Sequence, residues 1–269
     1  MNSLHMVNQF DSYKSLKNLF ELNITVNSIA EGIQFCDKKA DALHIKQEMI
    51  KNNFDVMGVK AEEMVGYITK TDLSSGNVEN YLKPFTSMDL ISDSTPLLQV
   101  LHILKDNERI FILEGVKVSK IVTYADLQKP PVRMMIFGYI TLLEMKLGEL
   151  INNYFPNQSW KESLSQNRLD KAETLFNDKR EKNEDLSLIE CLQISDKLDL
   201  IFVKDDKLRA LFDIPSKSYG KDLTKNIRKL RDEIAHANEL GFGLSWKEII
   251  SVLEKIKFSL EKIENLNIK

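Results

Sequence analysis

The sequence predicts a chain in two parts: a mixed α+β region that repeats itself once, followed by an all-helical region. Three observations carry that expectation. The motif Ile-Thr-x-x-Asp-Leu at 68–73 returns as Val-Thr-x-x-Asp-Leu at 122–127, so Thr69 and Thr123 stand 54 residues apart, as do Asp72 and Asp126. A motif duplicated at a constant offset is the signature of a repeated supersecondary unit. Apolar runs of strand length surround both motifs, whereas beyond Lys129-Pro130-Pro131 no period-two alternation occurs and Leu, Ile, Glu and Lys recur at helical intervals.

Residues 1–23 form a leader. Tyr13, Leu16, Leu19 and Phe20 stand in it at helical spacing, which predicts an amphipathic helix over 11–22. From 24 to 129 the order helix, strand, strand, short helix runs twice. The first copy has a helix over 40–53, strands over 54–59 and 64–69, and a closing helix opened by Asp72-Leu73. The second has a helix over 97–107 and strands over 110–113 and 118–123. The offset extends upstream, aligning Met49-Ile50-Lys51-Asn52-Asn53 with Ile103-Leu104-Lys105-Asp106-Asn107, and Val56-Met57-Gly58-Val59 with Ile110-Phe111-Ile112-Leu113. Asn52-Asn53 and Asp106-Asn107 fit helix ends because Asn tolerates the left-handed conformation.

Lys129-Pro130-Pro131 is expected to break regular structure and to mark the domain boundary, since proline lacks an N–H and restricts the residue before it. The second domain spans 132–269, with helices over 132–155, 168–182, 186–204, 221–238 and 245–265. Pro156, Pro215 and Gly241-Phe242-Gly243 mark its connections.

Composition excludes more than it assigns. With 37 basic and 40 acidic side chains the net charge is −3, so any surface for nucleic acid has to be local. Cys36 and Cys191 form no CxxC or Cys/His cluster and read as small core residues of a reducing compartment. The N-terminus has no basic flank followed by an apolar stretch. The most apolar run, 134–143, is about half a membrane span. A cytoplasmic protein is expected, without a membrane partner. No Walker loop, dinucleotide fingerprint, nucleophile elbow or zinc-protease motif occurs. His5, His44 and His102 form no constellation. Glu144 and Glu149, in the first helix of the second domain, either face the active cleft or are charges on an amphipathic helix.

Gly66-Tyr67-Ile68-Thr69-Lys70-Thr71-Asp72 and Lys120-Ile121-Val122-Thr123-Tyr124-Ala125-Asp126 resemble the strand-ending element of the cystathionine-beta-synthase (CBS) domain. Residues 24–129 resemble a tandem pair of such domains with β-α-β-β-α repeats. The resemblance implies that the region senses an adenosine nucleotide (AMP, ADP or ATP) as a regulatory ligand, through Thr69, Asp72, Thr123 and Asp126. The residue types suit that chemistry. A Thr hydroxyl and free N–H groups at a strand-to-helix junction hold phosphate oxygens, and the Asp accepts both ribose hydroxyls. Read from residue type alone, the same Thr and Asp are equally plain helix N-caps. Lys70 and Arg109 are open to both readings, as phosphate contacts or as surface charge.

In the helical domain, Leu230-Arg231-Asp232-Glu233-Ile234-Ala235-His236-Ala237-Asn238 resembles the catalytic element of the HEPN family, the higher-eukaryote and prokaryote nucleotide-binding domain found in toxins and in phage-defence ribonucleases. The resemblance implies an all-α bundle and a homodimer that cleaves an RNA substrate without a metal cofactor. Arg231 and His236 would be catalytic, with Asp232 orienting one of them. The chemistry is consistent: His titrates near neutrality and can pass a proton, and Arg offers a planar fork to phosphate oxygens. Positions five apart on a helix differ by about 140°, so one copy makes a poor site and two copies across a dimer axis a better one. Lys221, Lys225, Arg228 and Lys229 are spaced by three or four and are candidates for RNA binding. The alternative is a nucleotide-sensing scaffold whose helical domain binds a partner protein or RNA without cutting.

Overall fold

The structure is a computed structural model that describes residues 12–236 and 238–266. Its described residues divide into two compact units, one made of residues 20–132 and the other of those from 133 onward together with those up to 19. Helix α1 (Ser12–Lys17) continues as a π-helical turn over Asn18–Asn23. Phe20 is buried and Leu19 is exposed. The side chains of Tyr13 and Leu16, on which the amphipathic leader also rests, lie outside the described residues, as does His5.

The α+β unit holds two four-stranded sheets, in the orders β2-β3-β4-β5 and β1-β8-β7-β6. Their strands are β1 (Glu31–Gly32), β2 (Phe35–Asp37), β3 (Val56–Lys60), β4 (Met64–Thr69), β5 (Lys83–Pro84), β6 (Leu90–Ser92), β7 (Arg109–Glu114) and β8 (Lys117–Thr123). In each sheet a short strand pairs in parallel with the first strand of an antiparallel hairpin, and a helix makes the crossover: α2 (Ala42–Lys51) or α3 (Leu97–Leu104). Asp41 caps α2 by accepting from the His44 N–H, and Asn53 leaves the helix at φ 56°. Asn107 ends the second helix differently, through its side-chain amide on the Ile103 carbonyl.

The repeat is longer than its helix-strand-strand core, and its edge strands cross over. β1 lies at the start of the first copy but pairs with β8 of the second, Glu31 opposite Ile121. β5 occupies the same place beside β4, Lys83 opposite Tyr67. The repeating unit is therefore 3₁₀ turn, edge strand, parallel strand, helix and hairpin, beginning at Val26–Ser28 and again at Val78–Tyr81.

A constant offset of 54 fails along it. Thr69 pairs with Val56 and Thr123 with Arg109, so β7 corresponds to β3 one residue earlier than the sequence alignment placed it. Burial agrees: Met57, Gly58 and Val59 are buried in β3, and Ile110, Phe111 and Ile112 in β7. A slip of one residue exchanges the faces of a strand. Each core residue exposed in this way forfeits about 1.5–3 kcal/mol, so the buried register prevails over the letter-by-letter alignment. No helix opens at Asp72-Leu73. The chain turns there, and the next helical turn begins only at Val78.

At the boundary between the units Pro130 and Pro131 open α4 (Pro130–Tyr154) instead of breaking the chain. Proline is favoured in a first helical turn, where its missing N–H would have had no partner. The remaining helices are α5 (Gln166–Glu181), α6 (Ile194–Asp199), α7 (Asp206–Leu211), α8 (Lys217–Ala235) and α9 (Trp246–Asn265). The expected helix over 186–204 starts only at Ile194 and ends as a π-helical stretch, Leu200–Lys204. α8 buries Gly220, Leu223, Thr224, Ile227, Leu230 and Glu233, one face at helical spacing. A Cβ at Gly220 would collide with the Phe202 carbonyl, so glycine sets how closely α8 meets the π-helical stretch. Cys36 and Cys191 are both free and buried, and burial pushes the Cys36 thiol up to about 11.

Candidate functional site

The two Thr/Asp motifs share a sequence pattern but sit in different surroundings. In the first, Thr69 ends β4 and its hydroxyl donates to Asp72 Oδ2 at 2.5 Å. The Lys83 ammonium, reaching over from edge strand β5, pairs with the same carboxylate and lies 3.5 Å from the Thr69 hydroxyl. β5 comes this close because residue 66 is glycine; a Cβ there would strike the Lys83 carbonyl. Thr69 is buried, whereas the Asp72 side chain is 38% exposed. Hydrogen bonds from Lys83 and Thr69 hold the Asp72 carboxyl below the usual carboxylate range. Lys70 pairs with Asp55 at 2.6 Å, away from Asp72.

In the second motif the carboxylate is enclosed. Asp126 Oδ2 accepts from the Thr123 backbone N–H at 2.7 Å and from its hydroxyl at 3.1 Å, a capping box for the 3₁₀ turn Tyr124–Gln128. Asp126 Oδ1 accepts from Lys129 at 2.7 Å. Lys129 also donates to the Ile29 carbonyl and pairs with Glu31 of β1 at 2.8 Å. Asp126 is 6% exposed. Burial pulls the Lys129 ammonium downward, but Asp126 and Glu31 outweigh it and the pKa rises above that of an ordinary lysine.

The contrast arises at one position. Edge strand β5 carries a cation, Lys83, where β1 carries an anion, Glu31. Beside the first motif the edge strand neutralises the Asp directly; beside the second, Lys129 has to bridge two acids and covers the Asp in doing so. Tyr67, Phe85 and Phe111 cluster with ring centroids 4.8–5.8 Å apart, Tyr67 stacked on Phe85 and Phe111 tilted or edge-on to both, and Arg109 lies 5.7 Å above Tyr67. Arg109 also meets Glu108 at 3.5 Å.

In the helical unit, α8 delivers its motif at its C-terminal end. Arg231 donates to Asp232 Oδ1 at 2.9 Å, so the acid steadies the guanidinium beside it. The helix closes at Ala235, and His236 is its C-cap, exposed, with its backbone N–H on the Asp232 carbonyl. Ala237 lies outside the described residues. Arg133 of α4 clamps this end of α8, donating to the carbonyls of Asn238 and Glu233. Lys221, Lys225 and Arg228 are exposed on one side of α8, whereas Lys229 donates to the Gly243 carbonyl and belongs to the α8–α9 connection. Large apolar side chains stand exposed in the same unit: Met134 and Phe137 on the first turns of α4, and Phe242, 94% exposed, in the α8–α9 connection.

Lys83, Lys129, Glu31 and Arg133 escaped the sequence reading. Lys83 and Glu31 become equivalent only once the edge strands are paired, Lys129 matters through the acid that Glu31 supplies, and no motif spacing announces either. Among the described residues no group of three or more His, Cys, Asp and Glu is arranged to hold a metal ion, and no helix is long and apolar enough to cross a membrane.

No family model and no curated protein matches the chain. Solved structures align with its N-terminal part. An uncharacterised conserved protein from Pyrococcus horikoshii shares 19% identity, with 39% of this chain and 90% of that one covered and a TM-score of 0.36. The structure of CBSX2 in complex with AMP shares 15% identity over 39% of this chain and 93% of its own, with a TM-score of 0.35. The CBS domains of a transcriptional regulator from Streptococcus pneumoniae share 19% identity over 39% and 97%, with a TM-score of 0.34.

Proposed function

We propose that the chain is a nucleotide-regulated endoribonuclease acting as a homodimer, with a CBS-type pair sensing an adenosine nucleotide and a HEPN-type bundle cleaving RNA. The observation that carries the reading is the end of α8, where Asp232 steadies a half-buried Arg231 at 2.9 Å, His236 stands exposed as the C-cap, and Lys221, Lys225 and Arg228 line the helix leading to it. In the second reading, the scaffold, these charges would be plain solvated surface.

On the sensing side, Asp72 takes both ribose hydroxyls, and Lys83, displaced from Asp72, meets the phosphate together with the Thr69 hydroxyl. Thr123 and Asp126 hold the second half of the repeat together. From Lys129 the chain enters α4 without an intervening loop, so a change at the repeat has a covalent route to the helical unit. Regulation requires the nucleotide to bind one arrangement more tightly than another.

On the catalytic side, two copies bring two Arg231 and two His236 around one phosphate. One imidazole takes the 2′-hydroxyl proton as the 2′-oxygen bonds to phosphorus. The bond from phosphorus to the 5′-oxygen breaks, and the second imidazole protonates that oxygen. The products are a 2′,3′-cyclic phosphate and a 5′-hydroxyl end. The Arg231 guanidinium balances the charge gathering on the phosphoryl oxygens. Met134, Phe137 and Phe242 supply apolar surface for the second copy.

The test is RNA cleavage by the full chain. His236→Ala and Arg231→Ala are each expected to lower the rate by about 100-fold or more without lowering Tm. A folded, dimeric wild type that cuts no RNA would instead select the scaffold.

A further inference from the structure

A cleft of about 440 Å³ opens in the helical unit between one face of α4, which contributes Glu144, Glu149 and Asn152, and the segment around α6, which contributes Ser187, Glu190 and Lys197. Neither of the motifs described above lines it. Lys197 is the unusual member. It is 3% exposed, and its ion-pair partner, Glu144, stands 3.8 Å away, beyond hydrogen-bond reach. The ammonium makes no hydrogen bond among the described residues. An ammonium has three N–H donors, and where this one lines the cleft no described protein acceptor takes them. Gly148 stands beside it, a Cβ there lying 3.9 Å from Nζ, so a larger residue would cover the ammonium. Burial holds the Lys197 pKa below that of an ordinary lysine, against the upward pull of Glu144, Glu190 and Cys191.

The surrounding acids differ in how far they are already engaged. Glu190 accepts from the Ser187 N–H and hydroxyl, each at 2.7 Å, and Glu149 is paired with Lys146 at 3.0 Å. Glu144, partly exposed, has among the described residues only the distant ammonium. A simple anion would meet three carboxylates here, and a simple cation would leave the lysine donors unfilled. A molecule carrying both charges satisfies both sides, and the volume falls in the range of about 300–1,000 Å³ typical of small-ligand pockets.

We propose that this cleft binds a small zwitterion of the amino-acid type, its carboxylate on the Lys197 ammonium and its ammonium on Glu144. The proposal stands independently of nucleotide sensing and RNA cleavage.

The test is thermal unfolding of the full chain with each of the common amino acids at saturating concentration, beside propionate and putrescine, which carry one half of the charge pattern each. At least one amino acid is expected to raise Tm by about 2–4 °C, and neither half-ligand is. Lys197→Met and Glu144→Gln should each abolish the shift. Without ligand, Lys197→Met should melt at or above the wild-type temperature, because a buried ammonium has been replaced by an apolar chain of similar length. If Lys197→Met fails to fold, Glu144→Gln, at a partly exposed position, carries the test. No shift with any amino acid, an equal shift with putrescine, or a shift that survives both substitutions would overturn the proposal.

Discussion

The two halves of the repeat spell Thr-x-x-Asp alike and spend the aspartate differently. Asp72 meets solvent and is held by a hydroxyl and by a lysine from the neighbouring edge strand; Asp126 is enclosed by a backbone N–H and by a lysine that also serves Glu31 and the Ile29 carbonyl. A motif therefore names a place in the fold and not yet a role. The role depends on what the edge strand offers, a cation at residue 83 or an anion at residue 31. On this account the first copy recognises the nucleotide and the second ties the unit together.

Substitutions test that division, and the largest effect belongs to the first copy. Asp72→Ala removes the acceptor of both ribose hydroxyls. At about 1.5 kcal/mol for each hydrogen bond to a charged group, AMP affinity measured by calorimetry should fall roughly 100-fold while Tm hardly moves. Asp126→Asn should do the reverse, costing about 1.5–3 kcal/mol of stability in denaturant unfolding and leaving AMP affinity within about twofold. Loss of binding in Asp126→Asn with stability intact would invert the assignment of the two copies.

A smaller effect separates ribose from phosphate. Lys83→Met should weaken AMP binding by about fivefold, an exposed pair being worth up to about 1 kcal/mol, and should leave adenosine almost unaffected. Equal losses for both ligands would place Lys83 on the ribose. The smallest effect lies in acid. Because Lys83 and Thr69 lower the Asp72 pKa, its ion pair is complete above the ordinary value of 3.8 and is lost only as pH falls through the depressed one. Adenosine affinity should therefore stay flat from pH 7 to about pH 5, and a titration midpoint inside that window would show that Asp72 is not held as described.

Much of the fold is legible in the sequence because it rests on periodicity. The strand over 64–69 is found as read, and Asn53 leaves its helix in the left-handed conformation as expected, whereas Asn107 closes the second helix through its side chain. The interleaving is not legible, since β1 and β5 are two residues long and carry no pattern of their own. Neither is the one-residue shift of β7, which reflects hairpins of unequal length and not any change of residue type. Pro130-Pro131 reads as a stop because proline ends helices more visibly than it begins them. For the candidate sites, sequence supplies Thr69, Asp72, Arg231 and His236 as residues, and the structure adds what each touches. Lys197 illustrates the limit, since a lysine reads as solvent-facing and only the packing around α6, which buries Ile194 to Leu198 without a break, shows otherwise.

The measurement that most directly tests nucleotide-controlled cleavage is the cutting of an end-labelled structured RNA in EDTA, with and without AMP, by wild type, Asp72→Ala and His236→Ala. The account predicts that wild type cuts to a cyclic-phosphate end at a rate AMP changes, that Asp72→Ala cuts but no longer responds to AMP, and that His236→Ala does not cut. Cutting that persists in His236→Ala, or a folded wild type that cuts nothing with or without AMP, would contradict it.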